Sequence, residues 1–157
     1  MPKITPFLWF DENAEEAAKF YVSIFKNSKM GAIARYPEGA PGKAGSVMTV
    51  VFFLDGQEFM ALNGGPHFKF NEAVSFVVNC QNQAEIDEMW EKLTAGGSEV
   101  QCGWLKDKFG LSWQIVPRDM GELMAGKDAE GAKRAMQAMM QMKKLDIAAL
   151  KRAGGFE

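Results

Sequence analysis

Two stretches of the chain change their hydrophobic period in the same way. In ITPFLWFDENAEEAAKFYVSIF an extended apolar run stops at Asp11, and apolar residues then recur at helical spacing, at Ala17, Tyr21, Ile24 and Phe25. Such a stripe gives a helix one face to bury against a sheet. Asn13 with Glu16 three residues on is a variant of the capping box and sets the helix start; the helix is predicted to end near Asn27. In VSFVVNCQNQAEIDEMWEKLTAGG the plan returns. A β-forming run ends near Cys80, Asn82 and Glu85 repeat the cap, Ile86, Met89, Trp90 and Leu93 carry the stripe, and Gly96-Gly97 supplies the stop.

Three strand candidates follow each helix. After the first come Ala32 to Tyr36, Val47 to Leu54 and Glu58 to Leu62, with Asp55-Gly56 predicting a hairpin between the last two. After the second come Glu99 to Cys102, Trp104 to Lys106 and Leu111 to Pro117. Strand, helix and three strands written twice is an internal repeat, which bears on architecture more than local propensity does. The predicted fold class is α+β: tandem βαβββ modules over about 1–66 and 67–118, with a helical tail over 119–157. In the tail, Asp128 is the predicted N-cap. Ala132, Met136, Met139, Met140 and Lys143 form a stripe read as core or dimer contact. A short final helix with Leu145, Ile147, Ala148 and Leu150 is expected after Asp146.

Composition narrows the function classes. A chain of 157 residues, 47% hydrophobic and 24% charged, suits one globular domain or two small modules sharing a core. Its 18 basic and 20 acidic residues leave a net charge of -2, no basis for binding a phosphate backbone, so a nucleic-acid partner is not expected. Apolar runs such as Val47 to Leu54 are of strand length, and MPKITPFLWF lacks the long apolar run and cleavage site of a signal peptide. No membrane partner is expected, and the expected location is the cytoplasm. Cys80 and Cys102 lie far apart in no Cys-x-x-Cys pattern, which predicts reduced, mostly buried thiols.

Two βαβββ modules in tandem resemble the vicinal oxygen chelate superfamily of glyoxalase I, extradiol dioxygenases and the fosfomycin and bleomycin resistance proteins. ITPFLWFDENAEEAAKFYVSIF, FKFNEAVSFVVNCQNQAEIDEMWEKL and GWLKDKFGLSWQIVP are more closely similar to the PhnB-like branch, whose members often bear the label 3-demethylubiquinone-9 3-methyltransferase. The resemblance extends over nearly the whole chain, tail included. It implies a divalent metal held by side chains from the first and last strand of each module, commonly His, Glu, His and Glu. The corresponding places here hold Thr5, Ala61 or Asn63, Ala73 or Ser75, and Gln114. Neutral oxygens and amides are poor ligands for such a metal, so no metal and no cofactor are expected.

By strand alternation Thr5, Phe7 and Trp9 share one face, while Ile4, Leu8 and Phe10 face the helices. The resemblance places the first set on a concave face with Ser75 and Val77 of the fifth strand and Ser112, Gln114 and Val116 of the eighth. In the loop NGGPHFKF, Asn63, His67, Phe68 and Phe70 read as a pocket rim, with His67, the only histidine, as the candidate catalytic base. An aromatic cleft with an amide- and hydroxyl-lined floor suits a small, largely neutral or aromatic ligand. No serine triad, Walker A or GxGxxG is present.

A binding module for that ligand is therefore the first expectation. The alternative is a metal-independent enzyme, using His67 for proton transfer and Asn63 or Gln114 to hold a carbonyl; the methyltransferase of the family label belongs to this class. A homodimer is expected, because paired modules leave sheet edges and a concave face to be closed.

Overall fold

The computed structural model describes residues 2–156; Met1 and Glu157, the ends of the predicted spans, lie outside the described residues. The chain divides into two compact units between Lys69 and Phe70. The first runs β1 (Phe7–Phe10), α1 (Ala14–Ile24), β2 (Lys29–Arg35), β3 (Val47–Leu54) and β4 (Gln57–Asn63). Its sheet has the order β1-β4-β3-β2, with β1 parallel to β4 and the other pairs antiparallel. The second runs β5 (Ser75–Cys80), α2 (Gln83–Thr94), β6 (Ser98–Glu99), β7 (Trp104–Lys106) and β8 (Ser112–Pro117). Its order, β5-β8-β7-β6 with β5 parallel to β8, repeats the first. Three tail helices complete this unit: α3 (Met120–Ala125), α4 (Ala129–Met140) and α5 (Ile147–Ala153).

Each sheet buries one face against its helix. In the first unit Ala14, Ala17, Ala18, Tyr21 and Ile24 of α1 are buried with Leu8, Phe10, Val50, Phe52, Phe59 and Ala61. The Tyr21 ring stacks on Phe52 at 6.2 Å, and Phe52 on Phe59 at 5.3 Å. Burying one such side chain contributes about 1.5–3 kcal/mol. The β3–β4 turn has positive φ at both central residues, Asp55 (48°) and Gly56 (79°), as a type I′ hairpin requires. In the second unit Ile86, Met89, Trp90 and Leu93 of α2 are buried, as are Cys80, Leu105, Trp113 and Ile115 of the sheet. Burial pushes the Cys80 thiol up to about 12, with the Glu85 charge adding to the shift, so this sulfur stays a neutral core group.

Several local expectations need correction. Asn13 occupies the N-cap of α1 without a side-chain cap bond. Its place is taken by Asn63, at the end of β4, whose Oδ1 accepts from Ala14 N at 2.8 Å. The second cap forms locally: Asn82 Oδ1 accepts from Glu85 N at 2.9 Å, and the Glu85 carboxylate accepts from Gln81 N at 3.0 Å. Strand β6 stops at Glu99 because Cys102 (φ 61°) and Gly103 (φ 85°) turn left-handed, and their N–H groups go to the carbonyls of Met142 and Lys143. Asp128 and Asp146 cap α4 and α5, whereas α3 was not visible as a separate element. In α4 the buried face is Gly131 and Ala135, not the methionine stripe. A Cβ at Gly131 would lie 2.3 Å from Gly154 O, so small residues bring the backbones together and leave Met136 and Met140 outside. Met139 alone of the predicted stripe's methionines packs on the cluster of Val116, Leu145 and Leu150.

Candidate functional site

Opposite α1, the first sheet presents a largely apolar face. Register places Phe7 beside Met60 and Val51, and Trp9 beside Leu62 and Thr49. Phe7, at the start of the edge strand β1, is 53% exposed, a large amount for a phenylalanine. At one end of the face Thr5 Oγ1 donates to Glu58 Oε2 at 3.0 Å, and the Lys29 ammonium lies 5.2 Å from the Phe53 ring. Glu58 is therefore a carboxylate on this face that sequence reading missed. Its neighbour across the strands is Thr5, and only the β1–β4 pairing reveals that.

The loop after β4 is pinned rather than loose. Gly64 N and Gly65 N donate to the carbonyls of Phe10 and Asp11, and the Trp9 indole N–H donates to Gly65 O at 2.9 Å. Gly64 lies flat against the indole: a Cβ there would sit 2.3 Å from the ring. Phe68, 65% exposed, meets Trp9 edge-on at 4.9 Å, and His67 does so at 6.5 Å. Asn63 is consumed by the scaffold. Its Oδ1 caps α1, its Nδ2 donates to Val47 O at 3.2 Å, and its carbonyl accepts from the Tyr36 hydroxyl. Phe70 belongs to the second unit, where it is half-buried.

Opposite α2, the second sheet presents two in-register rows. One is Ser75, Ser112 and Lys106; the other is Val77, Gln114 and Trp104. Gln114 Nε2 donates to Ser75 Oγ at 3.0 Å, Val77 is 49% exposed, and Trp104 is half-buried. Ser112 is fully buried, and its Oγ has no hydrogen-bond partner among the described residues. Lys106 forms an ion pair with Glu72, and that hydrogen bond and charge hold the Glu72 carboxyl below its ordinary value. At the far end Val116 is covered by the tail. Trp104 and Lys106 were read from the sequence as the ends of a strand but not as part of this face, although their period-2 spacing around buried Leu105 was available.

The β7–β8 turn that sets this register is built on a buried acid, Asp107, only 3% exposed. Its Oδ1 accepts from Phe109 N at 2.8 Å and Leu111 N at 3.1 Å, and its Oδ2 from the Trp113 indole at 2.9 Å. A divalent metal of the kind the superfamily holds does not fit either face. Ser75 and Gln114 are bonded to each other, Thr5 is bonded to Glu58, and among the described residues no three His, Cys, Asp or Glu side chains come together.

Two βαβββ units with this strand order are the vicinal oxygen chelate fold. Residues 2–116 match the family described as 3-demethylubiquinone-9 3-methyltransferase, and the chain belongs to that family. The match stops short of the tail, which corrects the expectation that the resemblance includes it. A solved relative, a Bacillus cereus PhnB protein described with the same methyltransferase name, is 41% identical over 74% of this chain and 99% of its own, with a TM-score of 0.68. A protein from Pseudomonas aeruginosa, 21% identical, covers 73% of this chain and 96% of its own at a TM-score of 0.60. The fosfomycin resistance protein FosX from Mesorhizobium loti, 10% identical, covers 80% and 99% at 0.56, a likeness of fold alone. No curated protein matches the chain. Among the described residues no helix is long and apolar enough to cross a membrane.

Proposed function

We propose that this protein binds a small, largely neutral or aromatic molecule, seated on the face of its second sheet opposite α2, and works in the cytoplasm as a homodimer. One observation carries the reading: where the superfamily's last strand bears a metal-binding carboxylate, Gln114 holds an amide oriented by Ser75 between Val77 and Trp104. An amide has both a donor and an acceptor and no charge to neutralise, so it suits a carbonyl, amide or hydroxyl of a ligand. Trp104 and Val77 supply apolar walls, and Ser112 lies beside them. On the first unit Phe7, Trp9 and Phe68 form an aromatic surface. The family description names a methyl transfer. The architecture supports binding more directly, since two short mixed sheets differ from the alternating parallel sheet that usually holds S-adenosylmethionine.

The test is a metabolite screen by thermal stability and native mass spectrometry, followed by affinity measurements on variants. Gln114→Ala and Trp104→Ala are each expected to weaken the ligand found by about 1–3 kcal/mol. Trp9→Ala reports separately on the aromatic surface of the first unit. Unchanged affinity in both Gln114→Ala and Trp104→Ala would move the binding site elsewhere. Light scattering at micromolar concentration checks the dimer, and a monomer mass would refute it.

A further inference from the structure

The row Ser75, Ser112 and Lys106 lies one step along the strands from Gln114 and Trp104. Neighbouring strands are about 4.8 Å apart, so all three side chains start within about 10 Å of one another. Ser75 Oγ already accepts from Gln114 Nε2, which leaves its own proton to give. Ser112 Oγ is buried with neither a donor nor an acceptor supplied among the described residues. Lys106 has three N–H groups and no acceptor capacity. What remains unspent in the row includes a proton on each serine and two of the Lys106 N–H groups, the donors an oxyanion needs.

The acceptor now facing Lys106 is Glu72, which comes not from the sheet but from the segment before β5, with its side chain 58% exposed. Exposed ion pairs are weak and easily exchanged. We infer that Ser75, Ser112 and Lys106 form an oxyanion subsite, and that the ligand seated against Gln114 and Trp104 carries a carboxylate or another small oxyanion that replaces Glu72 on Lys106. This rests on the binding reading above and narrows it: a neutral aromatic body with one anionic end. No covalent step is involved. The ligand oxygen takes the place of the Glu72 oxygen at the ammonium, and the two serine hydroxyls donate to it.

Benzoate and its neutral counterpart benzamide are the probes, titrated into the full chain and followed by amide chemical shifts. Benzoate is expected to bind roughly tenfold more tightly than benzamide, in keeping with the greater strength of charge-assisted hydrogen bonds. The ratio falls to about one in Lys106→Met. Glu72→Gln, which removes the competing carboxylate, raises benzoate affinity several-fold and leaves benzamide unchanged. Inorganic phosphate shifting Ser75 and Lys106 but not Trp104 would show the subsite accepting an oxyanion without an aromatic body, and would support it. Equal binding of benzoate and benzamide to the unaltered protein, with Trp104 and Gln114 both shifting, would overturn the oxyanion subsite and leave the aromatic site standing. No shift on this face with either probe would overturn both.

Discussion

Replacing Asp107 by alanine is expected to be among the most damaging single changes in the second unit. The buried carboxylate receives two backbone N–H groups and the Trp113 indole, at 2.8, 3.1 and 2.9 Å. Each buried donor left without a partner costs about 1–3 kcal/mol. Relaxation of the turn and entry of water recover part of that, so the expected loss is about 3–5 kcal/mol, or roughly 6–20 °C in Tm for a chain of this length. Asp107→Asn keeps one carbonyl oxygen for the two backbone donors but turns an N–H toward the indole N–H, and should lose about half as much. Urea unfolding followed by far-ultraviolet circular dichroism measures both. A loss below about 1 kcal/mol in Asp107→Ala, or an Asn variant no better than Ala, would show that the turn does not depend on this carboxylate. The functional readout is coupled to it, because the same turn sets Lys106 opposite Ser112 and Trp104 opposite Gln114.

Asn63→Ala should cost about 1–3 kcal/mol and Asn13→Ala less than about 0.5, by the same unfolding assay, because only Asn63 caps α1 with its side chain. Gly64→Ala pushes a methyl group into the Trp9 ring; a displaced indole would show as a shift in tryptophan emission and loss of the Phe68 contact in nuclear Overhauser spectra. The carboxyls of Glu72 and Asp87 are held below their ordinary values of 4.5 and 3.8, chiefly by hydrogen bonds from Lys106 and Lys144. Their contribution is present above those values and lost as pH falls through the depressed ones. Glu72→Gln and Asp87→Asn should therefore reduce the acid dependence of stability slightly, more at low salt than at high, since both pairs are exposed.

Period alone located both repeats, their helices and most of their strands, because Tyr21, Phe52, Ile86 and Leu93 are buried where alternation and helical spacing put them. What period cannot carry is register. The pairing of Thr5 with Glu58, or of Trp104 and Lys106 with Gln114 and Ser112, follows from how strands align across turns, and a carboxylate or lysine in a short strand looks like solvent-facing charge until that is known. Asn63 shows the same limit. Its sequence neighbours are glycines of a loop, whereas its partners, Ala14, Val47 and Tyr36, come from three other places in the chain. In the tail the methionine stripe was the louder apolar signal, but close backbone approach favours Gly131 and Ala135.

The different caps of the two helices also predict different times of formation. Helix α2 holds its start signal within a few contiguous residues, so its first turn can form before any long loop closes. The side-chain cap of α1 comes from an amide 49 positions away, at the end of β4, and is in place only when β4 has joined the sheet. Closing that loop carries an entropic cost that local capping avoids. In refolding experiments Asn82→Ala would then slow folding of the second repeat, while Asn63→Ala would act mainly on the unfolding rate of the first. Repeats with nearly the same plan would thus nucleate differently, one from its helix and the other from its sheet.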